Sequence, residues 1–380
     1  MINQNESPFI QRKPFSVREC TSVFWKPSRS AGYIRLICPL IPRALAVWVC
    51  LKEIPSSYGS ERSGLELKGS IQDITNQDYM PECLPFRYMW RSFWKMLNKS
   101  VMNFIGCDAG YEEADIVLYG APFDSTTSFR PGTRFAGQAV RNDSYGLETY
   151  SPYQDRDLED CRIFDLGDLE LAIGDSELVL SEIEKTAETI LKDKKLPFMI
   201  GGEHLVTLGA VRAAARQYPE LHIIHLDAHT DLREDYLGVK LSHAAVIRRC
   251  WDILGDGRIH QFGIRSGEKS EFDWARSGHT DFHPFTLDDL PGILPELKGK
   301  PVYFTVDLDV LDPSVFPGTG TPEPGGVDFL TLMKNVTEVC NSLNIIGCDV
   351  NELCPPCDHS GMSTAVACKI IREMLLALKK

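Results

Sequence analysis

Residues 221–234 read LHIIHLDAHTDLRE, and this stretch decides the fold. A short apolar run, LHIIHL, is followed at alternate positions by Asp227, His229 and Asp231. Because side chains on a strand alternate between its two faces, an extended chain would turn all three groups in one direction. Buried acidic groups of this kind need a compensating positive charge. The stretch therefore predicts a buried strand whose end carries a binding site.

Similar apolar runs recur from residue 115 to the C-terminus, and helical patterns separate them. The seven predicted strands cover residues 115–122, 162–171, 196–202, 221–229, 258–266, 301–310 and 345–353. Helices are predicted at 176–193, 204–218, 243–254, 328–343 and 363–379, the first with an N-cap at Asp175 or Ser176. This alternation predicts a three-layer α/β/α sandwich with a mostly parallel central sheet. Ligands bind such a sheet beyond the carboxyl ends of its strands.

The first 95 residues differ from the rest of the chain in charge and in pattern. They carry 13 Lys and Arg against 8 Asp and Glu, whereas residues 96–380 carry 27 against 45. They also show no sustained period of 2 or 3.6 residues. We expect residues 1–95 to be a poorly ordered N-terminal extension or not part of the native chain, with a separate interaction module as the alternative. Residues 96–380 are expected to form one domain.

The composition is typical of a globular protein that acts on small molecules. A formal net charge of -13 and a pI near 5.2 disfavour binding to nucleic acid or anionic membranes. The longest clean apolar run in the early part, residues 44–51, is too short to span a bilayer, and no signal peptide is visible. The 12 cysteines lack the dense spacing of secreted scaffolds, so we expect a cytoplasmic protein.

Side chains that bind metals follow several of the predicted strands. In chain order they are His204, Asp227, His229, Asp231, Asp307 and Asp309, with Glu352 after the last strand. Four aspartates in one dry cleft would repel one another strongly, and two divalent ions would balance their charge. Oxygen and imidazole ligands without thiolate suit manganese better than a structural zinc site, with iron, cobalt or zinc as substitutes. The sequence therefore predicts a site for two Mn²⁺ ions.

Several segments together resemble the ureohydrolase family, which contains arginase, agmatinase, guanidinobutyrase and formiminoglutamase. These segments are GGEHLVTLGA, LDAHTDLRE, LSHAAVIRR and TVDLDVLDPSVFPGTGTPEPGG, in the family's order. Residues 121–160, which begin APFDSTTSFRPGTRF, most resemble the agmatinases of bacteria. The resemblance covers about residue 96 to the C-terminus. It implies an arginase-like fold, a catalytic domain with two metal ions, and a homo-oligomer, either a trimer or a hexamer.

The resemblance also implies a role for each site residue. One ion would be held by His204, Asp227, Asp231 and Asp307, and the second by His229 and Asp309, with Asp231 and Asp307 shared. A metal-bridging hydroxide would attack the guanidinium carbon of a small cationic substrate and release urea and an amine. Asp231 would carry the proton to the leaving amine, and His243 would exchange protons with solvent. Glu352 would hydrogen-bond the guanidinium and hold it in place.

The residue two places beyond the DAHTD motif bears on the substrate. The arginase pattern has an asparagine there, and this chain has Arg233. A substrate without an α-carboxylate is therefore expected, with agmatine, which gives putrescine and urea, the leading case. The alternatives are guanidinobutyrate, whose carboxylate Arg233 could receive, another ureohydrolase substrate, or a non-catalytic scaffold of the same fold.

Other features near these motifs are expected to be structural. Cys354 and Cys357 form a C-x-x-C with two intervening prolines, which favours packed thiols over a redox pair. His222 and His225 are expected in the core or behind the ligands. The loop at residues 318–326, GTGTPEPGG, is expected to form a wall of the substrate pocket.

Overall fold

The computed structural model describes residues 22–27, 32–37, 47–51 and 102–379. The chain divides into two units, Met1–Arg91 and Ser92–Lys380. The first unit contains an antiparallel sheet of three strands, β1 (Ser22–Pro27), β2 (Gly32–Ile37) and β3 (Val47–Leu51). A poorly ordered extension is expected for residues 1–95, and most of these residues lie outside the described ones.

An eight-stranded sheet forms the centre of the second unit. Its strands are β4 (Ile116–Gly120), β7 (Ile163–Asp168), β8 (Leu196–Ile200), β9 (His222–Leu226), β10 (Ile259–Ile264), β11 (Asp281–Pro284), β12 (Pro301–Asp307) and β13 (Asn344–Asn351). Their order across the sheet is β11-β10-β9-β12-β13-β8-β4-β7, and all of these pairs are parallel. A short hairpin, β5 (Tyr150–Ser151) and β6 (Arg156–Asp157), lies between β4 and β7 in the chain. All seven predicted strands are confirmed, and β11 is an additional edge strand.

Helices lie between these strands in the chain. They are α1 (Ala136–Asp143), α2 (Ser176–Lys192), α3 (Thr207–Gln217), α4 (Val246–Leu254), α5 (Lys269–Trp274), α6 (Leu290–Leu297), α7 (Phe329–Ser342) and α8 (Met362–Leu378). The side chain of Asp175 accepts a hydrogen bond from the Leu178 N–H at 3.1 Å, which makes it the N-cap of α2. None of the described helices is long and apolar enough to cross a bilayer.

The sheet is buried on both faces. On β4, Ile116 and Leu118 pack into one apolar cluster, and Val117 and Tyr119 pack into the other. The first cluster contains side chains of α1, α6, α7 and α8, and the second contains side chains of α2, α3 and α4. Alternate residues of one strand pack into opposite clusters, so both faces of the strand are buried. This burial explains the near-continuous apolar runs in the sequence. The predicted three-layer sandwich is confirmed.

Candidate active site

Four neighbouring strands end level with one another at the centre of the sheet. One row of paired residues crosses all four near these ends: Leu226 of β9, Val306 of β12, Val350 of β13 and Ile200 of β8. Because all four strands are parallel, the loops that follow them leave from the same edge. The structure therefore brings together all six predicted metal ligands, which follow β8, β9 and β12.

His204 faces three aspartates. Its Nδ1 lies 3.0 Å from Asp227 Oδ2, 3.2 Å from Asp307 Oδ2 and 3.4 Å from Asp231 Oδ2. None of these contacts has hydrogen-bond geometry, and this buried nitrogen has no hydrogen-bond partner among the described residues. On the other side of the ring, Nε2 lies 2.9 Å from Thr305 Oγ1. With the proton on Nε2, the Nδ1 lone pair and the carboxylates are oriented as ligands of one cation.

His229 and Asp309 form a second group beside the first. The Nδ1 of His229 lies 3.0 Å from Asp309 Oδ2 and 3.5 Å from Asp227 Oδ1. Asp309 Oδ2 is also buried without a hydrogen-bond partner in the described part of the chain. Asp227 turns its Oδ2 towards His204 and its Oδ1 towards His229. Asp227 therefore lies between the two groups of potential ligands.

His225 supports Asp227 from behind. Its Nε2 lies 2.7 Å from Asp227 Oδ2, and its Nδ1 lies 3.1 Å from Gln261 Nε2. The orientation of Gln261 is fixed, because its Nε2 donates to the Thr230 carbonyl and its Oε1 accepts from the Thr280 hydroxyl. His225 Nδ1 must then accept a hydrogen bond, and its Nε2–H donates to Asp227. Both ring nitrogens are engaged, which agrees with the expected position behind the ligands.

Burial and neighbouring charges raise the pKa values of two of the buried aspartates, Asp231 and Asp307. Burial and the charge of Asp227 raise the pKa of Asp231 to about 7. Burial and the charge of Asp309 raise the pKa of Asp307 well above its usual range. Burial lowers the pKa of His204, but the close aspartate oxygens outweigh burial and hold it well above its ordinary value. The protein alone therefore retains protons at this site, and a divalent cation would displace them.

Asp231 and Glu352 adopt left-handed backbone conformations, with φ of 52° and 62°. Such a conformation costs about 1–3 kcal/mol for a residue other than glycine, so the surrounding structure must impose it. The Asp231 carbonyl accepts hydrogen bonds from the first turn of α4, and the Glu352 N–H donates to the Gly202 carbonyl at 3.0 Å. Glu352 Oε1 accepts a hydrogen bond from the His204 N–H at 2.7 Å. These contacts hold both carboxylates at the ligand cluster.

A cavity of about 250 Å³ opens at the ligand cluster. Its lining combines potential ligands with polar residues of the neighbouring loops: Ser128, His204, His229, Asp231, Arg233, Tyr236, His243, Glu268, Glu271, Asp307, Asp309, Thr321 and Glu352. Thr321 belongs to the loop 318–326, so the prediction that this loop forms a pocket wall is confirmed. His222, in contrast, is buried at the start of β9, where its Nδ1 lies 3.2 Å from His260 Nε2.

Arg233 is paired with acidic groups at the cavity wall. Its Nη1 lies 2.9 Å from Glu268 Oε1, and its Nε lies 3.6 Å from Glu271 Oε2. The guanidinium also lies 4.7 Å from the centre of the Tyr236 ring. Two carboxylates therefore compensate the single positive charge of Arg233.

Besides Glu268 and Glu271 of the cavity wall, two acidic residues beside the ligands were not predicted. Glu203 is fully buried, and burial raises its pKa to about 7. Its signal in the sequence was its place directly before His204 in GGEH. Glu323 Oε1 lies 3.8 Å from His229 Nε2 and accepts a hydrogen bond from Ser266 at 2.9 Å. No sequence pattern distinguished Glu323 from other loop residues.

Cys354 is buried and Cys357 is half-buried, as expected, but the two are not free thiols. These residues form a disulfide across the 3₁₀ turn Pro355–Cys357, which follows β13. The Cys357 N–H donates to the Cys354 carbonyl at 2.9 Å, and the turn brings the two Cα atoms within 5.4 Å. This separation suits a disulfide. The two prolines shape the turn that brings the cysteines together.

Comparisons with known proteins agree with this geometry. Residues 114–377 match the model of the arginase family. An agmatinase from Bacillus anthracis is 46% identical over 279 residues, which cover 73% of this chain and 96% of that relative. A solved structure from Clostridium difficile, described as a candidate agmatinase, is 52% identical with a TM-score of 0.69 and matches 71% of this chain and 99% of its own. The agmatine ureohydrolase of Thermoplasma volcanium is 33% identical with a TM-score of 0.68, covering 77% of this chain and 97% of its own. The chain under study, by both its site and its relatives, belongs to the arginase family.

Proposed function

We propose that this protein hydrolyses the guanidinium group of agmatine and releases urea and putrescine. One observation carries the proposal: two groups of histidine and aspartate side chains, buried except for the half-buried His229, share Asp227 at one cavity beside the carboxylate of Glu352. The similarity to agmatinases supports the choice of substrate.

We propose that two divalent ions, preferably Mn²⁺, bind this cluster. The potential ligands are His204, Asp227, His229, Asp231, Asp307 and Asp309. Two unpartnered buried atoms, His204 Nδ1 and Asp309 Oδ2, support this assignment within the described residues. Asp227 is a better shared ligand than Asp231, because its two oxygens face different histidines. When bound, the ions supply the charge that the aspartates need and lower the pKa of a water molecule.

Three residues of this chain would handle the substrate and its protons. Glu352 already accepts the His204 N–H through Oε1, so Oε2 remains to accept an N–H of the guanidinium. Burial and the nearby Glu203 hold the pKa of Glu352 well above its usual range, and a guanidinium cation would restore its ionised form. Asp231 would pass a proton to the leaving amine. His243 would exchange protons with solvent as a neutral base, because burial and the charge of His229 lower its pKa to about 4.

The charge of the cavity wall favours an ammonium over a carboxylate at the far end of the substrate. A free arginine could hold the carboxylate of guanidinobutyrate. Arg233 instead pairs with Glu268 and Glu271, and these three groups together carry a net negative charge. Agmatine, whose far end is an ammonium, therefore fits this wall better than guanidinobutyrate.

Measurement of the urea released from candidate substrates tests this proposal directly. The full chain loaded with Mn²⁺ is assayed with agmatine, arginine, guanidinobutyrate and guanidinopropionate. We expect the highest kcat/KM with agmatine. The absence of urea from all four compounds would exclude a guanidine hydrolase, and a preference for guanidinobutyrate would overturn the role of the acidic wall.

We also propose that the protein is a cytoplasmic homo-oligomer, either a trimer or a hexamer. Phe129, Phe135 and Tyr145 have exposed aromatic side chains that a contact between subunits would cover. A monomeric mass in light scattering would contradict this proposal.

A further inference from the structure

We infer that Thr126 and Ser128, anchored by Glu203, are positioning residues that hold His243 at the cavity. They lie in residues 124–132, between β4 and α1, a segment that we call the positioning loop. The inference rests on the proposed function, in which His243 moves protons. It adds a structural reason why this histidine is placed where it can act.

Glu203 fixes the positioning loop to the turn that carries His204. Its fully buried carboxylate accepts a hydrogen bond from the Thr126 N–H at 2.8 Å, another from the Thr126 hydroxyl, and a third from the Thr127 hydroxyl at 3.2 Å. Three donors from two adjacent threonines therefore give this loop a defined position.

Thr126 then connects the anchor to His243. The His243 backbone N–H lies 3.0 Å from Thr126 Oγ1 and can only donate, so Thr126 Oγ1 must accept this hydrogen bond. The hydroxyl proton of Thr126 is thereby directed to Glu203, which can accept it. The direction of both hydrogen bonds is fixed. Removal of one hydroxyl group breaks the connection.

Ser128 holds the ring of the same histidine. Its Oγ lies 3.1 Å from His243 Nε2, and the Tyr236 ring stands edge-on at a centroid distance of 5.8 Å. His243 Nδ1 is buried and has no hydrogen-bond partner in residues 102–379 as described. The backbone and the ring of His243 are thus held by two residues of the positioning loop.

This arrangement predicts an effect on proton transfer and not on the capture of substrate. A proton carrier must lie within hydrogen-bond reach of its partner, and a displacement of about 1 Å can cost about 100-fold in rate. Thr126 and Ser128 are not among the potential metal ligands. Their loss should therefore lower kcat and leave metal content nearly unchanged. Loss of Thr126, which is not among the residues that line the cavity, should also leave the KM for substrate nearly unchanged.

Two adjacent threonines provide a matched comparison. Thr126→Val and Thr127→Val each remove one hydroxyl that donates to Glu203, but in the described structure only the Thr126 hydroxyl accepts the His243 N–H. We expect Thr126→Val in the full Mn²⁺-loaded chain to lower kcat for agmatine by about 10- to 100-fold. We expect Thr127→Val, which removes one of the three donors to Glu203 but keeps the contact with His243, to lower kcat much less than Thr126→Val. Imidazole added to the buffer should restore part of the lost kcat in Thr126→Val and in His243→Ala, because a free base can replace a misplaced proton carrier.

The possible outcomes separate this inference from the proposed function. Equal kcat values for the two valine variants would overturn the positioning role. So would a loss of kcat in Thr126→Val that imidazole does not relieve. In both cases urea release by the wild-type protein would still support the proposed function. A wild-type protein that releases no urea would remove both. If Thr126→Val does not fold, Ser128→Ala replaces it, because Ser128 is exposed. An unchanged kcat in Ser128→Ala would then count against the inference.

Discussion

Asp231 meets three unfavourable conditions at once. It is buried, it lies near other aspartates, and its backbone has a φ of 52°. A residue selected for stability alone would be a glycine or asparagine at this backbone conformation. Under the proposed function, the carboxylate serves the chemistry of the site at a cost in stability of the metal-free protein.

The metal-free protein should lose stability as the pH rises. The folded pKa of Asp231 is about 7 and its ordinary value is 3.8, so between these values the folded state holds a proton that the unfolded state releases. The free energy of unfolding then falls as the pH increases through this window. Glu203, with a pKa raised from 4.5 to about 7, contributes in the same direction. His222 and His243, whose pKa values are lowered from 6.5 to about 4, act in the opposite direction below pH 6.5. Between pH 5 and pH 8 the Tm of the metal-free chain should therefore fall relative to that of the Asp231→Asn variant, which keeps both histidines.

Asp231→Asn is the control for this dependence. Asparagine tolerates the left-handed backbone and carries no titrating carboxyl, so the metal-free variant should show a flatter dependence of Tm on pH. Its turnover of agmatine should fall by about 10²- to 10⁴-fold. An identical pH profile of Tm in the variant, or turnover close to wild type, would contradict this assignment.

At the scale of single elements, the end of β8 depends on a close approach of two chain segments. Gly202 follows β8, and a Cβ atom at this position would lie 1.9 Å from the Phe123 carbonyl oxygen. The next residue, Glu203, donates its N–H to the same carbonyl at 2.8 Å. The segment after β4 is therefore in backbone contact with the turn that carries His204.

Gly202→Ala should displace this turn. We expect a loss of about 1–3 kcal/mol in the free energy of unfolding, because the new methyl group meets backbone atoms that must move. Mn²⁺ affinity, measured by calorimetric titration, should fall with it. The matched control is Gly292→Ala in α6, where nothing lies within 4 Å of the new methyl group. This exposed helical change should stabilise the protein by up to about 1 kcal/mol, and equal effects of the two substitutions would contradict the contact argument.

The same elements indicate what the sequence could predict. Apolar runs between helices predicted seven of the eight central strands, and each potential ligand was recognisable because it followed one of them. The edge strand β11, DFHP, contains a proline and polar residues, and α6, LPGILPEL, contains two prolines and a glycine, so neither has a clear period. Glu203 and Thr126 are 77 positions apart, and only the folded chain brings them together. The position of Asp227 between two histidines depends on side-chain orientation, which spacing does not determine.

At the scale of the whole molecule, the second unit alone matches almost the full length of the related proteins. The family match covers residues 114–377, and the Bacillus anthracis agmatinase is covered over 96% of its length. All the potential ligands, the cavity and the positioning loop lie within this unit. The first unit supplies none of these residues.

Removal of residues 1–95 should therefore leave kcat/KM for agmatine and the number of bound metal ions close to those of the full chain. Both quantities are measured on purified protein, together with the particle mass. A soluble but inactive truncated protein, or one that does not fold, would show that these residues contribute to the catalytic domain.

The position of β13 has a consequence for biosynthesis. Across the sheet, β8, β4 and β7 connect to β12, β9, β10 and β11 only through β13, which is the last strand in the chain. On the ribosome, the half-sheet that carries His204 cannot join the half-sheet that carries the aspartates until β13 has emerged. A nascent chain that stops earlier leaves two open sheet edges, which favour aggregation. We therefore expect the proposed ions to bind only after β13 has left the ribosome.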